Sequence, residues 1–464
     1  MEVLIVIIAV IMTLICCSSV LLRWNELKYR KKGLPRGTLG WPIIGETTEF
    51  LKQGPDFMKN QTARYGSFFK SHLLGCPTIV STDLERNRYI LVNEGKGLVP
   101  GYPESFLDIL GRRNIAAVHG STHKFMRGAL LSLISPTMLA HRILPNIDEF
   151  MRSHLSNWGN HVIDIQLKTK EMAFFSSLKQ IASIDSSSIA NEFKNEFFKL
   201  VLGTISLPIK LPGTNYHMGI KARENIVNIL RKLIEDRRVS KATQDDMLGC
   251  LLKEEDNKYK LSDEDIIDLI ITIVYSGYET VSTTSMMAVK YLHDHPHVLH
   301  ELRNEHLAIR ERKKADEAIT WEDYKSMSFT RAVVLETSRL ATVVNGLMRK
   351  TMKEMEIFGF VIPKGWRIYV ATREINYDPF IYPDPHSFNP WRWMEKSLES
   401  QHYFLIFGCG TRLCPGKELG IAEVSTFLHY LVTRYRWEEV EGNKLKKFPR
   451  VEAPNGLHMR VSIY

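Results

Sequence analysis

The sequence predicts one large, mainly helical domain with a small β-region, preceded by a membrane anchor. Three observations carry this. The chain of 464 residues is 44% hydrophobic, and no Gly/Ser or Pro-rich linker and no internal repeat divides its interior. Apolar residues recur at helical spacing through most of its length, while hairpin signals are few and short. Finally, Val3 to Leu22 is a run of 20 residues without a charge, long enough to cross a bilayer as a helix. The expected organisation is an anchor over 1–22, a basic and Pro/Gly-rich hinge over 23–45, and the main domain over 46–464.

Charge supports the anchor. Between Arg23 and Arg36 six basic residues face one acid, so this short stretch holds five of the nine excess positive charges of the chain. A cleaved leader wants a basic start, a shorter apolar core and a small-residue cleavage site. Here Glu2 precedes the run and the basic cluster follows it, which favours an uncleaved anchor with the main domain on the cytosolic side. No nucleic-acid motif accompanies the basic balance. The cysteines (Cys16, Cys17, Cys76, Cys250, Cys409 and Cys414) are scattered and form no disulfide framework, which points to a reducing compartment.

In chain order, Leu34–Gly45 alternates proline and glycine and reads as a stiff connector. Phe57–Tyr65 predicts a helix ending at Gly66. Ser67–Leu74 and Thr78–Ser81 predict a hairpin around Gly75-Cys76-Pro77. Val99–His119 reads as a loop with one short helix. His123 and Arg127 share a face of the helix that follows. Residues 143–203 give amphipathic helices whose phenylalanines (Phe174, Phe175, Phe193, Phe197, Phe198) belong to core or pocket wall. Leu207–Gly213 is an apolar loop, a candidate membrane-facing way in for greasy ligands. Arg223–Arg238 is a charged helix.

Ser262–His293 is the longest predicted helix, capped by Ser262 with acids in its first turn. It is apolar nearly all round from Ile266 to Val274, hence buried. Ser276-Gly277-Tyr278-Glu279-Thr280 then interrupts it, and polar groups in a buried helix need a reason. A groove beside Gly277, roomy enough for a small ligand and water, is one. A threonine bonding back to the preceding turn is the bland alternative. Glu336 and Arg339 share a helix face. Thr342–Met348 predicts a strand, Ile357–Gly365 a hairpin, Ile421–Arg434 a helix, and Val451–Leu457 a turn.

Phe407 to Gly416 reads Phe-Gly-Cys-Gly-Thr-Arg-Leu-Cys-Pro-Gly. Cys414 sits just before a helix N-terminus, where backbone N–H groups and the dipole favour a thiolate. Gly408 and Gly410 let the backbone approach a flat ligand. Arg412 is placed to meet a carboxylate. A thiolate under a planar metal cofactor is a haem–thiolate arrangement; a lone buried structural cysteine is the other reading. The pattern Phe-x-x-Gly-x-Arg-x-Cys-x-Gly is complete, as Phe407, Gly410, Arg412, Cys414 and Gly416, and the segment resembles the haem-binding loop of the cytochromes P-450.

That resemblance implies the mainly helical cytochrome P-450 fold and haem b, with Cys414 as proximal iron ligand beside Phe407. His123, Arg127, Arg349 and Arg412 are implied as donors to the haem carboxylates. His123 stands where the family usually has Trp. Gly277, Glu279 and Thr280 fall in the family's oxygen-activating motif: Thr280 hydrogen-bonds dioxygen and Glu279 feeds protons through water. Ser276 and Val281 depart from that motif at its flanks. Glu336, Arg339 and Arg392 are implied as a buried structural triad. The reaction implied is monooxygenation at the endoplasmic reticulum membrane. Electrons come from NADPH through a separate NADPH-cytochrome P-450 reductase, since no dinucleotide fingerprint is present. Lys417 is a candidate for docking that acidic partner.

Leu207–Asn215, Phe388–Trp393, Pro415–Tyr435 and Val451–Leu457 resemble the plant steroid-hormone oxidases of the brassinosteroid pathway, above all the brassinosteroid-6-oxidases. These convert 6-deoxocastasterone to castasterone through a 6-hydroxy intermediate, and some relatives continue to a lactone. Side-chain hydroxylation of the same steroids, or oxidation of another plant isoprenoid such as a gibberellin precursor or abscisic acid, stays open. So does a non-catalytic haem–thiolate sensor or carrier, although Glu279 and Thr280 argue against it. Cys409 stands where those relatives are expected to carry Gly; a second thiol there is either harmless or makes the loop more sensitive to oxidation.

Overall fold

The computed structural model describes residues 7, 11–13, 15, 17–21, 23–184, 188–240, 246–253, 260–314, 316–395 and 398–464. Among them the longer helices are α1 (Pro55–Tyr65), α2 (Leu84–Val92), α3 (Gly120–Leu133), α4 (Leu144–His154), α5 (Ile165–Ala182), α6 (Ser188–Thr204), α7 (Asn215–Ser240), α8 (Asp263–Asp294), α9 (Pro296–Arg310), α10 (Ser328–Ala341) and α11 (Lys417–Arg434). The strands are β1 (Phe68–Leu73), β2 (Cys76–Ser81), β3 (Leu98–Pro100), β4 (His161–Asp164), β5 (Gly346–Thr351), β6 (Met355–Ile357), β7 (Phe360–Ile362), β8 (Arg367–Ala371), β9 (Tyr435–Glu439) and β10 (His458–Ile463). The fold is therefore mainly helical with small sheets, as expected. No helix among the described residues is long and apolar enough to cross a membrane, and the expected anchor Val3–Leu22 falls largely outside those residues.

The chain forms two compact units. The first comprises Met1–Gly101, Asn345–Ile375 and Cys409–Thr411. It is built on a five-stranded sheet in the order β1-β2-β8-β5-β3, in which β2 and β8 run parallel and the other neighbours antiparallel. β2 and β8 are buried on both faces, with Ile79, Val80, Ile368 and Val370 fully covered. α2 is tied to this sheet by Asn87, whose Nδ2 donates to Ala371 O at 3.0 Å. The hairpin expected over Ile357–Gly365 is β6–β7, which starts two residues earlier at Met355 and turns at Phe358-Gly359.

The second unit comprises Tyr102–Val344, Asn376–Gly408 and Arg412–Tyr464. Its core is helical. α8 packs along α5 and also against α10 and α11, and Phe174, Phe193 and Phe197 are wholly buried between helices. A three-stranded antiparallel sheet β4-β10-β9 closes one side. α8 starts as its sequence demands: Ser262 Oγ accepts from Asp265 N at 3.2 Å while the Asp265 carboxylate accepts from Ser262 N at 3.2 Å.

Two expectations shift. The strand expected over Thr342–Met348 is β5, four residues later, because Thr342 takes a left-handed conformation (φ 49°) and caps the C-terminus of α10. The polar stretch Ser276–Thr280 does not interrupt α8, which runs unbroken to Asp294. The Thr280 hydroxyl turns back on the helix instead, Oγ1 donating to Ser276 O at 2.8 Å, and just beyond the stretch Thr283 Oγ1 donates to Glu279 O at 2.7 Å. That satisfies them without breaking the backbone ladder.

Candidate active site

In the second unit, the run from Leu405 turns at Gly408, whose N–H donates to Leu405 O at 2.9 Å. The chain then returns so that Cys414 N donates to Phe407 O at 2.9 Å. This bond closes the loop and sets Cys414 three residues before α11, whose N-cap is Gly416. The sequence expectation that the helix end lowers the thiol pKa is corrected here. Burial raises it, against the opposing pull of the Gly416 N–H, Arg127 and Lys417. Taking a thiolate out of water costs more than one helix terminus returns. A metal cation restores the thiolate, because a coordinating thiol gives up its proton.

α3 brings His123 and Arg127 to one face. His123 is buried, and Arg127 is half-buried. Arg127 makes no hydrogen bond or ion pair with the described residues, and burial pulls its guanidinium pKa down while Cys414 works the other way. A part-buried cation lacking a partner among the described residues, beside a part-buried soft donor, suits an iron porphyrin that carries two carboxylates. Arg412 spends two of its donors on main chain just before α3: Nη1 donates to Ile115 O at 2.7 Å, and Nη2 donates to Val118 O. It thereby fixes the approach to α3.

On α8, Gly277 is small for a packing reason: a Cβ there would meet Ser177 Oγ of α5 at 2.9 Å. The expected groove beside Gly277 is thus, on this side, a close helix crossing. Glu279 and Thr280 are both partly buried. Glu279 Oε2 lies 3.4 Å from Arg450 Nε, a partner that sequence reasoning missed. Arg450 sits in an irregular stretch, where neither period nor motif marks it.

The triad is built as expected. Glu336 and Arg339 on α10 are fully buried. Arg339 Nε and Nη2 donate to the two Glu336 carboxylate oxygens at 2.8 Å each, a bidentate pair. Arg392 Nε adds a bond at 3.1 Å, Trp393 Nε1 one at 2.9 Å and Asn389 N one at 3.0 Å. Arg339 also donates to Asn376 O and Pro385 O at 2.7 Å each and to Ser387 O at 3.2 Å. Trp393 and Asn389 were not foreseen.

Lys417 is not a free docking cation. Its Nζ lies 2.7 Å from Glu399, and its side chain is only 19% exposed. Arg331 binds Glu399 from the other side and also reaches Glu418. Burial alone would raise the Glu399 pKa; Arg331 and Lys417 hold it down to about 2.

In the first unit, Arg349 on β5 is buried, with Nε 3.3 Å from Glu94 Oε2. Gly410 takes φ +68°, and a Cβ there would crowd Leu91 O at 3.2 Å, so glycine is required. Cys409 is half-buried, and burial raises its thiol pKa in spite of Arg88 and Arg349. A raised thiol pKa favours the harmless of the two sequence readings.

A family model described as cytochrome P-450 matches residues 35–458, and the chain belongs to that family. It is a haem–thiolate monooxygenase, with haem b as cofactor and a reductase as electron donor. The chain is 72% identical to the cytochrome P-450 85A1 of Solanum lycopersicum over 97% of both chains. It is 71% identical to the cytochrome P-450 85A of Phaseolus vulgaris over 99% of this chain and 98% of that one. This 85A branch is the one the sequence resemblance indicated, the brassinosteroid-6-oxidases. Among solved structures, the retinoic acid-bound cyanobacterial CYP120A1 superposes with a TM-score of 0.83 at 27% identity, covering 93% of this chain and 99% of that one.

Proposed function

We propose that this chain oxidises C-6 of 6-deoxo brassinosteroids, taking 6-deoxocastasterone through its 6-hydroxy compound to castasterone. The observation that carries the chemistry is the half-buried Cys414 thiol before α11 with Arg127, partnerless among the described residues, beside it. Identity over nearly the whole chain with the 85A relatives supports the choice of substrate.

In this reading Cys414 holds the iron, with Phe407 packed next to it. His123, Arg127, Arg349 and Arg412 donate to the haem carboxylates. The haem, when bound, supplies oxygen activation. Each round consumes one dioxygen, two electrons and two protons, one oxygen atom leaving as water. The first round places the other oxygen atom on C-6 as a hydroxyl; in the second round the two hydrogens of the carbinol leave with that other oxygen atom as a second water, giving the ketone. The chain's residues manage the protons. Thr280 has committed its own hydroxyl proton to Ser276 O, so its oxygen accepts from a relaying water. Glu279 recharges that water from the solvent side.

The proposed setting is the endoplasmic reticulum membrane. Val3–Leu22 serves as a single-pass anchor, the catalytic domain is cytosolic, and NADPH-cytochrome P-450 reductase is the electron donor. The exposed Leu207, Ile209 and Leu211 support a membrane-facing path for the steroid.

Product analysis tests this. The chain is expressed with a plant reductase and supplied with NADPH and 6-deoxocastasterone. The 6-hydroxy compound followed by the 6-ketone is expected by mass spectrometry. No turnover from protein whose ferrous–CO spectrum reports intact thiolate ligation would refute C-6 oxidation.

A further inference from the structure

Glu279 does not stand alone. Besides its 3.4 Å contact with Arg450 Nε, the partner cation is held from behind. Arg450 Nη2 donates to Thr204 Oγ1 at 2.9 Å and to Val201 O at 3.3 Å, at the C-terminal end of α6. The Thr204 hydroxyl also meets Tyr275 OH at 3.3 Å, one turn before Glu279 on α8. One guanidinium from the chain just before Val451–Leu457 therefore joins α8 to α6. The contact with Glu279 has a particular character. Arg450 Nε has no hydrogen-bond partner, so the carboxylate is attracted by charge and not locked in a fork. It can swing away without breaking a hydrogen bond.

We propose that Arg450 is a positioning residue for the oxidation. It is the counter-ion that parks the Glu279 carboxylate against the C-terminal segment, so that protons reach Thr280 only when this contact loosens. The inference rests on the proton-supplying role given to Glu279 above. A carboxylate drawn toward Arg450 is drawn away from the relay water beside Thr280. Arg450 is anchored on the end of α6 and is continuous with the 451–457 turn. In this proposal the steroid lies against those two segments and shifts the cation, which ties proton supply to substrate occupancy. Such a latch protects the enzyme from spending NADPH on an empty site.

A double-mutant cycle on Arg450→Gln and Glu279→Gln tests the latch. The glutamine at 450 keeps the reach and the donor for Thr204 but loses the charge. In the resting protein, without turnover, amide hydrogen exchange over residues 451–457 is expected to quicken at least about threefold in each single variant, and no further in the double. In the reconstituted system, Arg450→Gln is expected to raise steroid-free NADPH oxidation about threefold or more and to do nothing further in the Glu279→Gln background. Arg450→Lys restores both readouts. Additive effects in the cycle, or an Arg450→Gln protein that matches the parent in both, overturn the proposal. If Arg450→Gln does not load haem, Thr204→Val loosens the cation from behind. Faster exchange over 451–457 in that variant supports the latch, and unchanged exchange refutes it. If Glu279→Gln alone leaves coupling intact, the proton role fails, and the exchange cycle still decides separately whether the ion pair pins the segment.

Discussion

Glu336→Gln is the sharpest probe of the interior. The carboxylate accepts from Arg339 twice, and from Arg392, Trp393 and the Asn389 N–H, all between 2.8 and 3.1 Å. An amide of the same shape turns one acceptor into a donor that faces other donors, and it leaves a fully buried guanidinium without its counter-charge. Breaking a buried pair in this way costs about 3–5 kcal/mol. Each kcal/mol moves the midpoint of a unit this large by about 2 °C or less. The thermal midpoint of the haem-loaded protein, followed by loss of the thiolate-type ferrous–CO band, should therefore fall by about 5–10 °C. Replacing both Glu336 and Arg339 by leucine is not expected to rescue it. Arg339 also serves the carbonyls of Asn376, Pro385 and Ser387, and each buried acceptor left bare costs about 1–3 kcal/mol. A Glu336→Gln midpoint within about 2 °C of the parent would refute this account, because it would mean the buried charge needs no counter-ion.

The remaining predictions are more direct. Cys414→Ser should abolish the thiolate-type ferrous–CO band and C-6 oxidation together; retention of the band would remove Cys414 from the iron. Thr280→Ala should keep steroid binding but divert reducing equivalents from product to peroxide or water, read as the ratio of ketone formed to NADPH consumed, and an unchanged ratio would exclude the role given to its hydroxyl. Arg127→Leu should speed haem loss to an acceptor protein by about tenfold if the guanidinium holds a haem carboxylate, the equivalent of about 1.4 kcal/mol; unaltered loss would refute that contact. Acid should weaken the fold through the buried pair His306 and His429, whose Nδ1 atoms lie 3.0 Å apart. Burial is the first cause holding both pKa values down, His429 to about 3 and His306 well below its usual value, with His429 a further cause for His306. Their neutral forms stabilise the native state above the unfolded value of about 6.5, and that stability is lost as pH falls below it. Denaturant midpoints between pH 7 and 5 should drop less steeply in His429→Phe; equal slopes would exonerate the pair.

What the sequence disclosed and what it hid follow from the range of the forces. α8, its N-cap Ser262 and the charge pair at Glu336 and Arg339 obey local rules of period and spacing, so they were legible. The haem loop was legible because its glycines, arginine and cysteine must occur in one short order. Arg450 was not, because its partners lie on α6 and α8 and nothing nearby marks it. Lys417 misled because a basic residue beside a functional loop looks exposed until Glu399 is seen 2.7 Å away. Cys414 misled in a different way. A helix N-terminus is visible in sequence, but the desolvation that outweighs it exists only once the loop is packed.

The sheet of the first unit has a consequence for how the protein comes into being. β1, β2 and β3 leave the ribosome within the first hundred residues, yet β2 pairs with β8 and β3 with β5, strands made only after residue 345. At about 5–20 residues per second, β2 waits roughly 15–60 s for its parallel partner. Throughout that time a strand with Ile79 and Val80 on it has one unpaired edge, the kind of surface that recruits the wrong neighbour. The order of strands thus makes yield, rather than activity, the property most exposed to slow or interrupted translation of the middle of the message.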